Sequence, residues 1–415
     1  MAELVQRIIK KYSTREQLIA NGVWKNELYT FSNDQILSRK ARGWLWKSLL
    51  LHVDEGDYND VRHEDYELIA IPDISAEKTA TDDATVGSVS QHRGTSRVPT
   101  GLKKITNGIK KLTPREVHTH PLHSAEDPNG NDGDMSLEDT LEIIDLDLSR
   151  LLLDEIFQKS EVHSQMKQIM LSYLVLSNRS GLPLTEQRFS YKQGYHEILG
   201  VIYLQLHSLV SSHANTSKAT LVIYSKLMNQ LAPTFYNETN LLNWEKNYFI
   251  PILQVVSPSL YTIFYNKRLN AHSNLIWLIR WTRLLFIREL SMNDSLILWD
   301  HILTFNYQLK ILMTCIIIML LTNVHDEISM IDSHDNDDLI EFMLHFKDDY
   351  AKKKIDILSI CKISGTLCEL WSYKNLNGMK SIVTDFMKAN NKSIDPNRQR
   401  IENKLRQRVA RSLNK

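Results

Sequence analysis

No segment of the 415-residue chain matches G-x-x-x-x-G-K-[S/T], which excludes a P-loop enzyme carrying its own nucleotide. Cysteine is scarce: Cys315, Cys361 and Cys368 form no disulfide framework, and none falls at metal-ligand spacing. A reduced, intracellular compartment is therefore expected. There is no net charge, since 49 Lys and Arg balance 49 Asp and Glu, so overall charge points to neither nucleic acid nor membrane. Long apolar runs are also missing. The longest, Ile311 to Leu321, is interrupted by Thr314 and is too short to cross a bilayer, so it reads as a buried helix. Residues 1–11 are charged without an apolar core, and no signal peptide is expected. With only 14 Gly and 10 Pro beside abundant Leu and Ile, the chain favours an all-helical protein over a sheet.

At 43% hydrophobic residues, the chain has enough apolar surface for a sizeable core. Residues 24–72 supply anchors in Trp24, Trp44, Trp46, Leu49, Leu50 and Leu51. From about Ser75 to Asp134 the composition turns to Ser, Thr, Asp, Gly and Lys with few large apolar residues. Such a stretch cannot bury enough surface to offset its ordering entropy, and it reads as a disordered insertion. Order resumes at Ser136, which with Asp139 makes a capping-box-like start. Leu137, Leu141, Ile144, Leu148 and Leu152 follow at helical spacing. A second stripe begins at Ile198, so Gln193 stands at or just before a helix start. Further helical patterns cover 218–231, 241–264, 274–290, 294–304, 308–325, 338–346 and 354–372. From residue 390 the tail turns basic, with Ile401, Leu405, Val409 and Leu413 on one helical face.

Two segments bear on chemistry. Residues 144–150 (Ile-Asp-Leu-Asp-Leu-Ser-Arg) end on an arginine, and Tyr191-Lys192-Gln193-Gly194 offers a glutamine about forty residues later. An arginine can neutralise charge on a transferring phosphoryl group, and a glutamine can orient an attacking water. Both groups without a phosphate cradle suggest that the nucleotide arrives on a partner. Asp147 and Arg150 are three residues apart and could instead form only a surface ion pair.

Taken in order, these motifs resemble the TBC domain, the helical GTPase-activating module for Rab/Ypt GTPases. Arg42-Gly43-Trp44-Leu45-Trp46 is similar to its RxxxW motif, residues 144–150 to IxxDxxR, and residues 191–194 to YxQG. Residues 280–289 followed by Leu298-Trp299-Asp300 resemble its later signature. Two departures stand out: Leu151 occupies a position where the family usually has threonine, and no acidic residue stands near Lys218, where one is common. The run 191–199 looks closest to Golgi and endosomal members, including small fungal Ypt activators.

The resemblance implies an all-α, two-lobed domain over residues 36–346, interrupted by the 75–134 insertion. An N-terminal helical segment (1–35) would precede it. Helices at 347–389 would complete or pack on it, and a basic tail (390–415) would follow. It implies catalysis by Arg150 on the phosphate oxygens and by Gln193 on the water. Asp147 would orient Arg150 or tie its helix to its neighbours. Gly194 would permit close approach of the partner's backbone, and Tyr191, Arg42 and Trp46 would serve mainly as scaffold. The chain would hold no cofactor, because GTP and Mg²⁺ belong to a Rab/Ypt GTPase in its GTP form. A cytoplasmic protein in vesicle transport, peripheral at Golgi or endosomal membranes, is the matching expectation. The basic tail reads either as a solvated terminal helix or as a weak membrane contact, and the first takes precedence because one short basic helix adsorbs only weakly.

A helical Rab-binding effector that does not stimulate hydrolysis is the alternative function. Other signals carry less. His196-Glu197 lacks the second histidine of HExxH because Gly200 stands there. His118, His120 and His123 crowd together in the polar insertion without cysteine partners. Residues 332–338 are acidic but lack the glycine and terminal glutamate of a calcium loop, so they read as a solvated loop.

Overall fold

Local capping chemistry sets several helix starts. The Ser136 hydroxyl accepts from the Asp139 N–H at 3.2 Å and donates to the Asp139 carboxylate at 2.6 Å. Ser291 accepts from the Asp294 N–H, and Asp356 from that of Ser359. Each satisfies an N–H that the first helical turn leaves open. The computed structural model describes residues 3–30, 37–50, 66–72, 135–207, 213–265, 274–331, 336–347 and 356–391. The expected insertion (75–134), with His118, His120 and His123, lies outside these residues, as does the tail from residue 392.

In chain order the longer helices are α1 (Glu3–Lys11), α2 (Arg39–Leu50), α3 (Leu137–Ser149), α4 (Ser160–Asn178) and α5 (Tyr195–His207). Next come α6 (His213–Leu231), α7 (Pro258–Tyr265), α8 (Leu275–Arg283) and α9 (Met292–Thr304). The last are α10 (Leu309–Asn323), α11 (Asn336–Leu344), α12 (Ile357–Ser372) and α13 (Leu376–Asn391). No strand forms among the described residues; Met135 and Phe189 make an isolated antiparallel bridge. The fold is all-α. One group of contacts joins α2 to α5, α5 to α6, α6 to α4 and α4 to α3. Another joins α10, α12 and α13, and α9 touches both α2 and α12.

The apolar run at 311–321 is buried on every side within α10, and Thr314 returns its hydroxyl to the Lys310 carbonyl, so no polar group is stranded there. No described helix is long and apolar enough to cross a membrane. The RxxxW segment is internal. Asp300, fully buried, accepts from Arg42 Nε at 3.0 Å, Trp46 Nε1 at 2.7 Å and Tyr29 Oη at 3.0 Å. The Trp46 ring stacks on Trp299 at 6.1 Å. This node ties α2 to α9, which gives Arg42 and Trp46 their structural setting.

Gly43 lets α2 touch α5 backbone to backbone. A Cβ there would lie inside the contact radius of the Gln205 carbonyl oxygen, which cannot move without shifting its helix. Helix propensity alone would reward Gly43→Ala by about 1 kcal/mol. Steric conflict is expected to win, lowering stability by about 1–3 kcal/mol in thermal or denaturant unfolding. A rise in Tm would contradict the close approach.

Several expected boundaries shift. Leu152 was placed on the buried stripe but is 84% exposed, because α3 stops at Ser149 and the chain turns. Leu151 takes the inward position. The pattern at 241–264 divides at Ser257, just before the proline that opens α7. The pattern at 274–290 ends as helix at Arg283; Leu285 (φ 46°) and Phe286 (φ 66°) then adopt the left-handed conformation in a tight turn. The helix expected from residue 338 begins earlier, so Asp337, read as loop, stands with Asp338 in the first turn of α11, where the helix dipole favours acid. Trp24 is half-buried rather than a core anchor.

Candidate functional site

The IxxDxxR segment forms the last turns of α3. Arg150 is its C-cap residue, and its backbone N–H satisfies the Asp147 and Leu148 carbonyls. Leu151 packs beside Gly200 on α5, where its Cδ2 lies 2.9 Å from the point a Cβ would occupy. A branched apolar side chain thus pins the chain immediately after the arginine, which accounts for leucine at that position. The guanidinium of Arg150 is exposed and makes no hydrogen bond or ion pair with the described residues.

Gln193 sits in the turn before α5, exposed and likewise without a side-chain partner among the described residues. Gly194 follows at φ +99°, a conformation that disfavours side chains. The expected reason for this glycine was approach by a partner's backbone. Crowding within the chain already calls for it: a Cβ would meet Leu284 Cδ2 at 3.0 Å and Tyr236 Oη at 3.1 Å. Tyr236 is held there by donating to the Arg283 carbonyl at 2.9 Å, and Arg283 Nε donates to the Phe235 carbonyl at 2.9 Å.

The two segments meet through their buried residues. Tyr191 Oη donates to Asp147 Oδ2 at 2.9 Å and lies 3.1 Å from His196 Nδ1. Nδ1 is 3.3 Å from the same carboxylate oxygen. Burial and the Asp147 charge push the Tyr191 phenol well above its ordinary pKa, so it keeps its proton and donates. Asp147 therefore faces inward, and no ion pair joins it to Arg150. Its contribution is to hold the end of α3 against the turn before α5, rather than to grip the guanidinium.

Arg150 and Gln193 line one cleft of about 310 Å³ together with Asp147, Leu151, His196, Glu197 and Arg288. Arg288 leaves the left-handed turn and pairs with Glu197 through two hydrogen bonds, Nη2 to Oε1 at 2.7 Å and Nε to Oε2 at 3.1 Å. A larger cleft of about 910 Å³ is lined by Lys192 and Tyr195 but by neither Arg150 nor Gln193. The smaller one is the better site, since it holds both exposed, unpartnered polar side chains. In the sequence, His196 and Glu197 figure only as an incomplete HExxH, and Arg288 only as part of the 280–289 stretch, so none of the three was assigned to this site. His196 and Glu197 stand within the 191–199 run and Arg288 within the 280–289 stretch, but no spacing rule connects residues 91 positions apart. Ile143, Leu146 and Leu152, all exposed, flank Arg150 along the chain.

No group of His, Cys, Asp and Glu suited to a metal occurs among the described residues. Among solved structures, the crystal structure of the Ypt/Rab-GAP domain of Gyp1p is similar over 58% of this chain and 77% of that one, at 17% identity and a TM-score of 0.47. No curated protein sequence matches the chain. The family model described as the Rab-GTPase-TBC domain matches residues 116–328, more than half of the chain and a span that contains α3 through α10, both unpartnered side chains and the Asp147–Tyr191 link. The chain belongs to the Rab-GTPase-TBC domain family.

Proposed function

We propose that this chain is a GTPase-activating protein that stimulates GTP hydrolysis by a Rab/Ypt small GTPase in its GTP form, with Arg150 and Gln193 supplied in trans. One observation carries the reading: two exposed polar side chains without partners among the described residues line one cleft, while the segments that bear them are locked by the buried Tyr191–Asp147 bond. Arg150 offers a planar fork of donors to phosphate oxygens. Gln193 offers a carbonyl oxygen that can orient the attacking water and an amide that can donate. GTP and Mg²⁺ remain the partner's, and this chain turns over no substrate of its own. Ile143, Leu146 and Leu152 supply apolar contact around the arginine.

The same reading puts the protein in the cytoplasm, peripheral at Golgi or endosomal membranes and acting in vesicle-mediated transport, the setting of the branch that residues 191–199 resemble. The basic tail would add weak contact with an anionic membrane surface. Single-turnover hydrolysis across a panel of Rab/Ypt GTPases tests the activity, and the member that responds decides the compartment. Wild type is expected to accelerate at least one member. Gln193→Ala is expected to lose on the order of 10²-fold of that acceleration, the scale of a misplaced reactant. A GTP-dependent complex with unchanged hydrolysis across the whole panel would sink the activator reading in favour of a non-catalytic effector scaffold.

A further inference from the structure

Counting protons in the buried link fixes which nitrogen of His196 carries the proton. A carboxylate only accepts, and Tyr191 has a single hydroxyl proton, which goes to Asp147 Oδ2. His196 Nδ1 lies 3.1 Å from the phenolic oxygen and 3.3 Å from Oδ2, so it must carry the N–H that points to them. The neutral ring then has its lone pair on Nε2, a tautomer assigned from hydrogen bonding. Nε2 has no partner among the described residues, and His196 lines the cleft with Gln193 and Arg150.

We propose that His196 is a positioning residue for Gln193: once a GTPase closes over the shared cleft, its Nε2 accepts from the Gln193 carboxamide N–H, a bond the free chain does not make, and this turns the carboxamide oxygen toward the attacking water. The inference rests on the role given to Gln193 above. An amide free to rotate presents oxygen and NH₂ about equally, and an acceptor on one side removes the wrong orientation. A protonated ring would do the reverse, because Nε2–H would attract the carboxamide oxygen and present NH₂ to the water. The charged and titratable groups around the ring are Asp147 and Arg150 at the end of α3, Tyr191 in the preceding loop, Glu197 on its own helix and Arg288 from the turn after α8. Burial, the largest influence, disfavours the imidazolium; Asp147 and Glu197 oppose it, and Arg288 and Arg150 act with burial. The balance lies below the ordinary histidine value of 6.5, so the acceptor form persists at neutral pH and is lost as pH falls beneath that value.

The test is single-turnover hydrolysis with a responding GTPase between about pH 5 and 8, read against the GTPase alone at each pH. Wild-type stimulation is expected to be level at neutral pH and to fall on the acid side of 6.5. His196→Ala is expected to lower stimulation roughly 5–10-fold at neutral pH, the scale of one hydrogen bond, and to erase the acid fall. His196→Gln, whose amide oxygen can accept, is expected to recover part of the rate without restoring the acid fall. It also serves as the folded variant should alanine unfold the chain. In a Gln193→Ala background, His196→Ala is expected to cause no further loss. The same fold-loss in both backgrounds, or an acid fall that survives His196→Gln, overturns the proposal while leaving the activator reading intact. Wild type that stimulates no GTPase overturns that reading, and this proposal with it.

Discussion

Replacing Arg150 with alanine is expected to abolish stimulated GTP hydrolysis, a loss on the order of 10³–10⁵-fold in rate, or roughly 4–7 kcal/mol in barrier height. The size follows from where the group acts. In water a guanidinium and a phosphate attract weakly, but inside a closed phosphate pocket the same pair is desolvated and its field falls on charge that develops in the transition state. Arg150→Lys is expected to fail nearly as badly, because a point charge cannot make the paired bonds of the fork. The fold should tolerate both changes. The side chain is exposed and has no partner among the described residues, and its charge at the C-terminus of α3 is worth about 0.3–1 kcal/mol. Single-turnover assays alongside thermal melts separate the two effects. Stimulation within tenfold of wild type in a folded Arg150→Ala protein would end the case for a trans-acting arginine.

Asp300→Ala should have the largest effect on stability. Three donors, Arg42 Nε, Trp46 Nε1 and Tyr29 Oη, converge on that carboxylate, and both partners of its ion pair are buried. Removing it strands a guanidinium in a dry core, and breaking such a pair from one side costs about 3–5 kcal/mol. Against a typical domain stability of about 5–15 kcal/mol, that is enough to leave much of the protein unfolded at 37 °C. Asp300→Asn is expected to be milder, since it keeps an acceptor but not the charge. Denaturant unfolding of both variants is the measurement. A loss for Asp300→Ala of only about 0.5 kcal/mol, the range of ordinary surface changes, would mean that the node does not hold α2 to α9.

How much could be read from the amino acids alone follows from what is local. Helical periodicity placed α3, α6, α9, α10 and α12 within a few residues, because each presents a repeated apolar stripe or, in α10, a continuous apolar surface. The same logic failed at Leu152, where spacing continued but the helix did not: Arg150 capped it, and periodicity cannot see a cap set by tertiary packing. It failed again beyond Arg283, since nothing about leucine and phenylalanine announces a left-handed turn. Arg150 and Gln193 could be proposed from sequence because the motifs that carry them are short and ordered along the chain. The crowding of Gly194 by Tyr236 was not legible, because it depends on a side chain arriving from another element. The pairing of Arg288 with Glu197 was out of reach, because it depends on contacts made only once the helices have packed.

Leu285 and Phe286 remain the least local feature of the molecule. Backbone geometry at these positions suits glycine, and each residue gives up about 1–3 kcal/mol to hold it. Both side chains are fully buried, and the Trp299 indole N–H fastens the Leu285 carbonyl at 3.0 Å. Burying two large apolar groups returns about 1.5–3 kcal/mol apiece, enough to offset the dihedral penalty. The bend that delivers Arg288 to Glu197 is thus not encoded in the residues that form it. Its shape is on loan from the surrounding interior, and a repacked interior would withdraw the loan before any residue of the cleft had been touched.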